Sequence, residues 1–248
     1  MPDITLTQWG LGLLAALGIG FAKAGFGGVM LVVIVIMADQ FGALPSVGIV
    51  LPLLIVADLT AYRLFRAHSN WRAAFGLLIP ALPGVAIGYL LLRQLDESSA
   101  RILIGWLIVG LLCIKIVLWK WERILFGLHH SPAFTWICGI CAGISTTVAN
   151  AAGPVMTAYL LVRKQEKMDF LGMSARFFLL INLIKVPLNV QLGLINKQSL
   201  AINLTLVPAI FVGVWLGRLW IKKIPQRAFE ILLLIFAVIA ALRLLLWN

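Results

Sequence analysis

The sequence predicts an all-α polytopic membrane protein made of two inverted repeats, each a broken, re-entrant helical hairpin plus three transmembrane helices. Three observations predict it: a very apolar composition, two hydrophobic blocks too long and too polar at their centres to be single spans, and an internal resemblance at a constant offset. Of 248 residues, 62% are apolar and 12% charged, and the mean hydropathy is +1.05, far from the values of a soluble domain. The first partner is therefore the lipid bilayer. The N-terminus, Met1-Pro2-Asp3-Ile4, lacks the cationic start of a cleavable signal, so the first hydrophobic block is expected to stay in the mature chain.

A spanning helix needs about 20 apolar residues, and the chain offers eight hydrophobic blocks. Six are of ordinary length: 44–62, 73–92, 102–119, 177–194, 200–220 and 228–246. The other two, 9–37 and 133–162, would run to about 45 Å as straight helix against a hydrocarbon core of about 30 Å. Their middles hold helix-weakening residues: Gly18, Gly20, Gly25, Gly27 and Gly28 in the first, and Gly143, Ser145, Thr146, Thr147, Asn150, Gly153 and Pro154 in the second. Each is read as two half-helices meeting at an irregular turn.

Gly27-Gly28-Val29-Met30 recurs as Gly153-Pro154-Val155-Met156, and Pro83, Gly88 and Arg93 recur as Pro208, Gly213 and Arg218. Asn70 maps on Asn196, and all these offsets are 125 or 126. The repeats are 1–125 and 126–248, forming one integral membrane domain.

The formal charge of +11 would suggest nucleic acid on a soluble protein, but no stretch here is polar enough to build an aqueous basic domain. It is instead a record of topology. If all eight blocks cross the membrane, seven basic loop residues fall on one side and ten on the other, which orients nothing. If both long blocks enter and leave on the same face, the loops 63–72, 115–123, 163–176 and 218–227 fall together. The count is then fourteen against three, with Lys23, Lys185 and Arg243 inside hydrophobic blocks. Three true spans per half also invert one repeat against the other, as in many secondary transporters whose substrate sits where the breaks meet.

Ionisable groups inside spans are costly and so are functional candidates. Lys23 and Lys185 are read as attracting an anion, and Asp58, at the position equivalent to Lys185, as exchanging a proton and approaching Lys185 across the repeat axis. The turn carrying Gly25, Gly27 and Gly28 lets backbone N–H groups approach a ligand. Its counterpart, with Thr146, Thr147, Asn150 and Gly153, adds uncharged hydrogen-bond donors. Asn182 and Asn189 share a helix face with Lys185. Arg176 lies nearer the basic face and is equally well explained by topology. The bland alternatives are a structural ion pair, snorkelling and helix capping.

No His-Glu-x-x-His, Gly-x-Ser-x-Gly or phosphate-binding loop is present. The sequence therefore predicts no enzyme, no catalytic residue, no metal and no cofactor. His129-His130 belongs to a solvated loop, and Cys113, Cys138 and Cys141 lie in apolar stretches where thiols pack as small hydrophobes. Three classes of function remain: a carrier of small anions, an anion channel with a fixed pore, and an intramembrane enzyme or assembly partner without transport. A channel calls for a continuous polar stripe along several helices, whereas the polar residues here cluster at two breaks and one helix face.

Nearly the whole chain resembles the sulfite exporter TauE/SafE family of membrane permeases. The likeness rests on Gly18-x-Gly20 and Gly25-Phe26-Gly27-Gly28, and on Asn70-Trp71-Arg72 leading to Pro80-x-x-Pro83-Gly84-x-x-x-Gly88. It continues with Gly172-Met173-Ser174-Ala175-x-Phe177-Phe178, Asn182-x-x-Lys185, the series Pro208, Gly213, Gly217, and Ile224-Pro225. Ala151-Ala152-Gly153-Pro154 stands where a run of glycines before the proline is usual. The resemblance implies a multi-pass inner-membrane permease exporting small sulfur-containing anions such as sulfite or organosulfonates, with proton coupling as an option. It fixes neither the particular anion nor the oligomeric state.

Overall fold

The computed structural model describes residues 4–125, 131–163 and 166–220, together with Ile235, Val238, Leu242 and Leu245. Lys164, Lys222, Lys223, Arg227, Arg243, His129, His130 and most of the block 228–246 lie outside the described residues, as do the side chains of Lys115, Lys120 and Arg123. Within them all regular structure is helical: α1 (Leu6–Lys23), α2 (Val29–Phe41), α3 (Ala43–Phe65), α4 (Trp71–Gln94), α5 (Glu97–Leu125), α6 (Pro132–Ala149), α7 (Gly153–Val162), α8 (Lys167–Gln191) and α9 (Lys197–Trp220). Six of them, α3, α4, α5, α6, α8 and α9, are long and apolar enough to cross a bilayer. Their outward faces carry large apolar side chains, among them Ile79, Trp106, Ile137, Leu204 and Trp215. An apolar surface of that extent belongs against lipid.

Both long blocks are broken where the sequence is weakest in helix formers, but neither is halved. The first helix of each pair has 18 residues, and the second only 13 in α2 and 10 in α7. Capping decides the lengths. Thr5 and Gln8 form a reciprocal capping box at the start of α1. Ser131 caps α6, with Pro132 in its first turn. α6 ends on Asn150 in the left-handed conformation (φ 55°), and the Asn150 N–H donates to the Thr146 carbonyl at 2.9 Å, a left-handed helix cap.

Each pair then doubles back. The Gln8 side-chain amide donates to the Gln40 carbonyl at 2.8 Å, joining the start of α1 to the end of α2. At the other pair Arg163 donates to Thr135 Oγ1 at 3.1 Å, and the Phe134 and Tyr159 rings stack with centroids 6.4 Å apart.

Two ends of the bundle follow from these ties. At one end Gly42 (φ 92°) joins α2 to α3, and the Glu97 carboxylate accepts the N–H groups of Ala43 and Leu44, covering the start of α3 from α5. Asp39 and Arg101 pair there at 3.5 Å. Hydrogen bonds from Ser98 and Ser99 hold the exposed Asp96 carboxyl down to about 2. At the opposite end the 66–70 loop is bound to α8. Arg176 donates to the His68 and Arg66 carbonyls, each at 2.7 Å, and Asp169 accepts the Ser69 N–H at 3.1 Å. These bonds explain why α8 begins at Lys167, ten residues before the hydrophobic block 177–194. The loop's backbone groups bond Nη1 and Nη2 of Arg176 and the Asp169 carboxylate, so the helix continues through them.

In the interior α1 packs on α9, α4 on α6 and α3 on α8, with further contacts of α3 on α9 and α4 on α8. With lipid outside, close backbone approach rather than water exclusion holds such helices together. A Cβ at Gly20 would lie 2.8 Å from the Val214 nitrogen, and one at Gly143 would lie 2.7 Å from the Val85 nitrogen. Any larger residue would force those crossings apart.

Candidate functional site

The two breaks meet in the middle of the bundle: the Gly27 carbonyl oxygen is 3.8 Å from where a Cβ on Gly153 would stand. Gly25 adopts φ 125°, open to glycine and costly for other residues, and Gly28 is the N-cap of α2. The Val29 and Met30 N–H groups bond to the Phe26 and Gly27 carbonyls. Gly27 and Gly28 N–H have no backbone acceptor among the described residues.

Beside the breaks lies one continuous polar network. Lys23, in the last turn of α1, pairs with Asp58 Oδ1 at 2.6 Å, and its ammonium sits 4.1 Å above the Phe178 ring. Asp58 Oδ2 accepts from Asn182 Nδ2 at 2.7 Å. Lys185 Nζ donates to Asn182 Oδ1 at 3.2 Å, to Asn150 Oδ1 at 2.7 Å, and to the Thr146 carbonyl and hydroxyl at 2.7 and 3.1 Å. Asn150 Nδ2 donates to the Val47 carbonyl at 3.2 Å. Asp58, Asn182 and Lys185 are each 0% exposed. Lysine at the end of α1 and lysine against the end of α6 both stand where a helix presents its carbonyls, which favours positive charge.

Of the residues singled out in the sequence, Lys23, Asp58, Thr146, Asn150, Asn182 and Lys185 are gathered in this network, while Gly25, Gly27, Gly28 and Gly153 form the two turns beside it. Asp58 and Lys185 do not touch directly. Asn182 stands between them, and the carboxylate's ion partner is Lys23. Thr147 faces the other way. Its hydroxyl donates to the Gly143 carbonyl at 2.8 Å and its Cβ side lies against Gly88 on α4. Asn189 is also fully buried and donates to the Lys185 carbonyl at 3.0 Å. Arg176 holds the 66–70 loop and takes no part in the network. Phe178 was not singled out as a site residue, although it falls four residues before Asn182 and seven before Lys185, on the same helix face.

With its three ionisable groups charged, the network carries two ammoniums and one carboxylate and thus an excess of one positive charge. No group of three or more His, Cys, Asp or Glu side chains with metal-binding geometry occurs among the described residues.

A helical, multi-pass membrane protein with a buried charged network at two helix breaks is the class that fold and site define. Residues 11–244 match the model of the family described as Sulfite exporter TauE/SafE, and the chain belongs to that family of membrane permeases. No curated protein and no solved structure matches it.

Proposed function

We propose that this chain is a secondary carrier that exports small sulfur-containing oxyanions across the inner membrane by alternating access, with the anion held between the two helix breaks. The observation that carries this reading is the network of Lys23, Asp58, Asn182 and Lys185, whose excess positive charge favours a bound anion. The glycine turns beside it leave room for backbone N–H groups to complete an oxyanion's coordination. Asp58 occupies Lys23 as an internal anion while the substrate is absent. Substrate binding displaces it, and its protonation at that moment couples transport to a proton gradient.

Several features support the inverted-repeat arrangement, 1–125 and 126–248. The contacts of α1 with α9 and of α6 with α4 are the same pairing with the halves exchanged, as are those of α3 with α9 and α8 with α4. The first broken pair opens toward the Gln8–Gln40 end and the second toward the Thr135–Arg163 end. Arg63, Arg66, Arg72, Arg163 and Arg176 belong to the end of the 66–70 loop, and Arg93, Arg101 and Lys197 to the other, which supports the former as cytoplasmic. Full burial of Asp58, Asn182 and Lys185 favours a carrier over a fixed pore, because a permanently open channel keeps its selective groups in water.

The test is flux in liposomes with sulfite, organosulfonates, sulfate and chloride, with and without a proton gradient. Saturable uptake and counterflow of a sulfur oxyanion, lost in Lys23→Ala and Lys185→Ala proteins that still insert, is the expected result. Unsaturable chloride conductance, or unchanged flux in both variants, would overturn it.

A further inference from the structure

The end of the bundle that carries the 66–70 loop holds a second cationic feature, separate from the buried network. A cavity of about 320 Å³ opens there between the first turns of α4, the end of α7 and the start of α8, lined by Asn70, Arg72, Gly76, Tyr159, Arg163 and Met173. That is the size of a small-molecule pocket, and its lining holds two guanidinium groups and no carboxylate. The nearest acid on α8, Asp169, is outside the lining and accepts the Ser69 N–H.

Arg163 is already positioned. Its Nη2 donates to Thr135 and its guanidinium lies over the Tyr159 ring, 4.8 Å from the centroid. Tyr159 itself is 2% exposed, so the platform under the arginine is fixed by the core. The remaining N–H groups of Arg163 are held in one orientation at little further cost in side-chain entropy. Arg72 lines the same cavity and makes no hydrogen bond or ion pair among the described residues. Two guanidiniums around one cavity, one of them anchored, form a clamp matched to the oxygens of an oxyanion.

We propose that this cavity is an oxyanion-binding vestibule in which Arg72 and Arg163 jointly bind one sulfonate, sulfite or phosphate group. The group is carried either by a free solute or by an anionic lipid headgroup. Its role as an antechamber for transported anion rests on the carrier reading above, whereas the binding site itself does not.

Binding is measured by calorimetry on the full chain in nanodiscs of zwitterionic phosphatidylcholine, with sulfite, methanesulfonate and inorganic phosphate as probes and chloride as control. Thermal shifts are compared between those nanodiscs and ones containing phosphatidylglycerol. Arg72→Gln touches no described partner and leaves the fold intact. Arg163→Gln is the second variant, and Lys185→Met reports on the inner network. Oxyanion binding weakened about tenfold or more by Arg72→Gln and by Arg163→Gln, but kept in Lys185→Met, assigns the vestibule to a free solute. Stabilisation by phosphatidylglycerol that vanishes in Arg72→Gln, without solute binding, assigns it to a lipid headgroup. Either result supports the proposal. If no probe and no anionic lipid shows an effect that depends on Arg72, the vestibule is overturned, and flux that still fails in Lys185→Ala leaves the carrier reading standing.

Discussion

Replacing Lys185 by methionine isolates what its ammonium does, because the two side chains are similar in length and the change leaves no large cavity. In the folded protein the group donates at 2.7 Å to both the Thr146 carbonyl and Asn150 Oδ1, and more loosely to Thr146 Oγ1 and Asn182 Oδ1. A buried acceptor left without a donor costs about 1–3 kcal/mol; the Thr146 carbonyl keeps the Asn150 N–H at 2.9 Å, so Asn150 Oδ1 is the acceptor at stake. Removing the ammonium also relieves the cost of burying a charge, which moves the expectation to the low end, about 1 kcal/mol. For a chain of this size that is a fall in melting temperature of about 2–4 °C. Intrinsic fluorescence of the solubilised protein, which has nine tryptophans, follows the transition. A cycle with Asn150→Leu should return a coupling of about 0.5–3 kcal/mol. If Lys185→Met melts at or above the wild-type temperature and shows no coupling to Asn150, the network is not what joins α8 to the end of α6, and the reasoning fails.

Three other outcomes are expected. Asp58→Asn preserves shape and the bond to Asn182 while removing the ion pair with Lys23; flux should lose its dependence on a proton gradient and keep counterflow, and retained gradient dependence would refute the coupling role. Gly143→Ala should destabilise by about 1–3 kcal/mol in thermal or denaturant unfolding, because its methyl meets the α4 backbone. Gly110→Ala on α5, where a Cβ meets nothing within 4 Å, should instead gain up to about 1 kcal/mol; equal effects at the two sites would exclude close crossing as the cause. In a cysteine-free background, Ala67→Cys should react with an impermeant thiol reagent only from the cytoplasmic side and Ser98→Cys only from the other. Labelling of both from one side would sink the proposed topology.

Much of the helix plan was legible because its signals are local. Apolar runs of about 20 residues located α3, α4, α5 and α9, and glycines with Asn150 marked both breaks. Where the reading and the molecule differ, a long-range contact is responsible. The breaks fall where expected, near the middle of each block, but capping at Thr5 starts α1 three residues before its block and α2 runs on to Phe41, four residues past it. The block 177–194 understated α8, because only the bound 66–70 loop makes Asp169 and Arg176 affordable within that helix. Lys23, Asp58 and Lys185 were conspicuous as charges among apolar residues, yet their pairing was not. Thr146 and Thr147 are neighbours in the chain and indistinguishable by composition, but 100° of helical rotation sends one to Lys185 and the other to Gly88.

The sequence by itself determined that this is a membrane-embedded helical chain, where its two long blocks break, which residues carry charge into the apolar interior, and which family it resembles. These follow from hydropathy, helix propensity and residue order, all readable along the chain. Only the tertiary structure decided that Asn182 stands between Asp58 and Lys185, that Phe178 lies beneath Lys23, that Thr147 turns away, and that Arg72 and Arg163 share a cavity. Partners on different helices, tens of residues or more apart, are chosen by which helix faces pack, and the packing depends on side-chain volume and close backbone approach at positions such as Gly20 and Gly143.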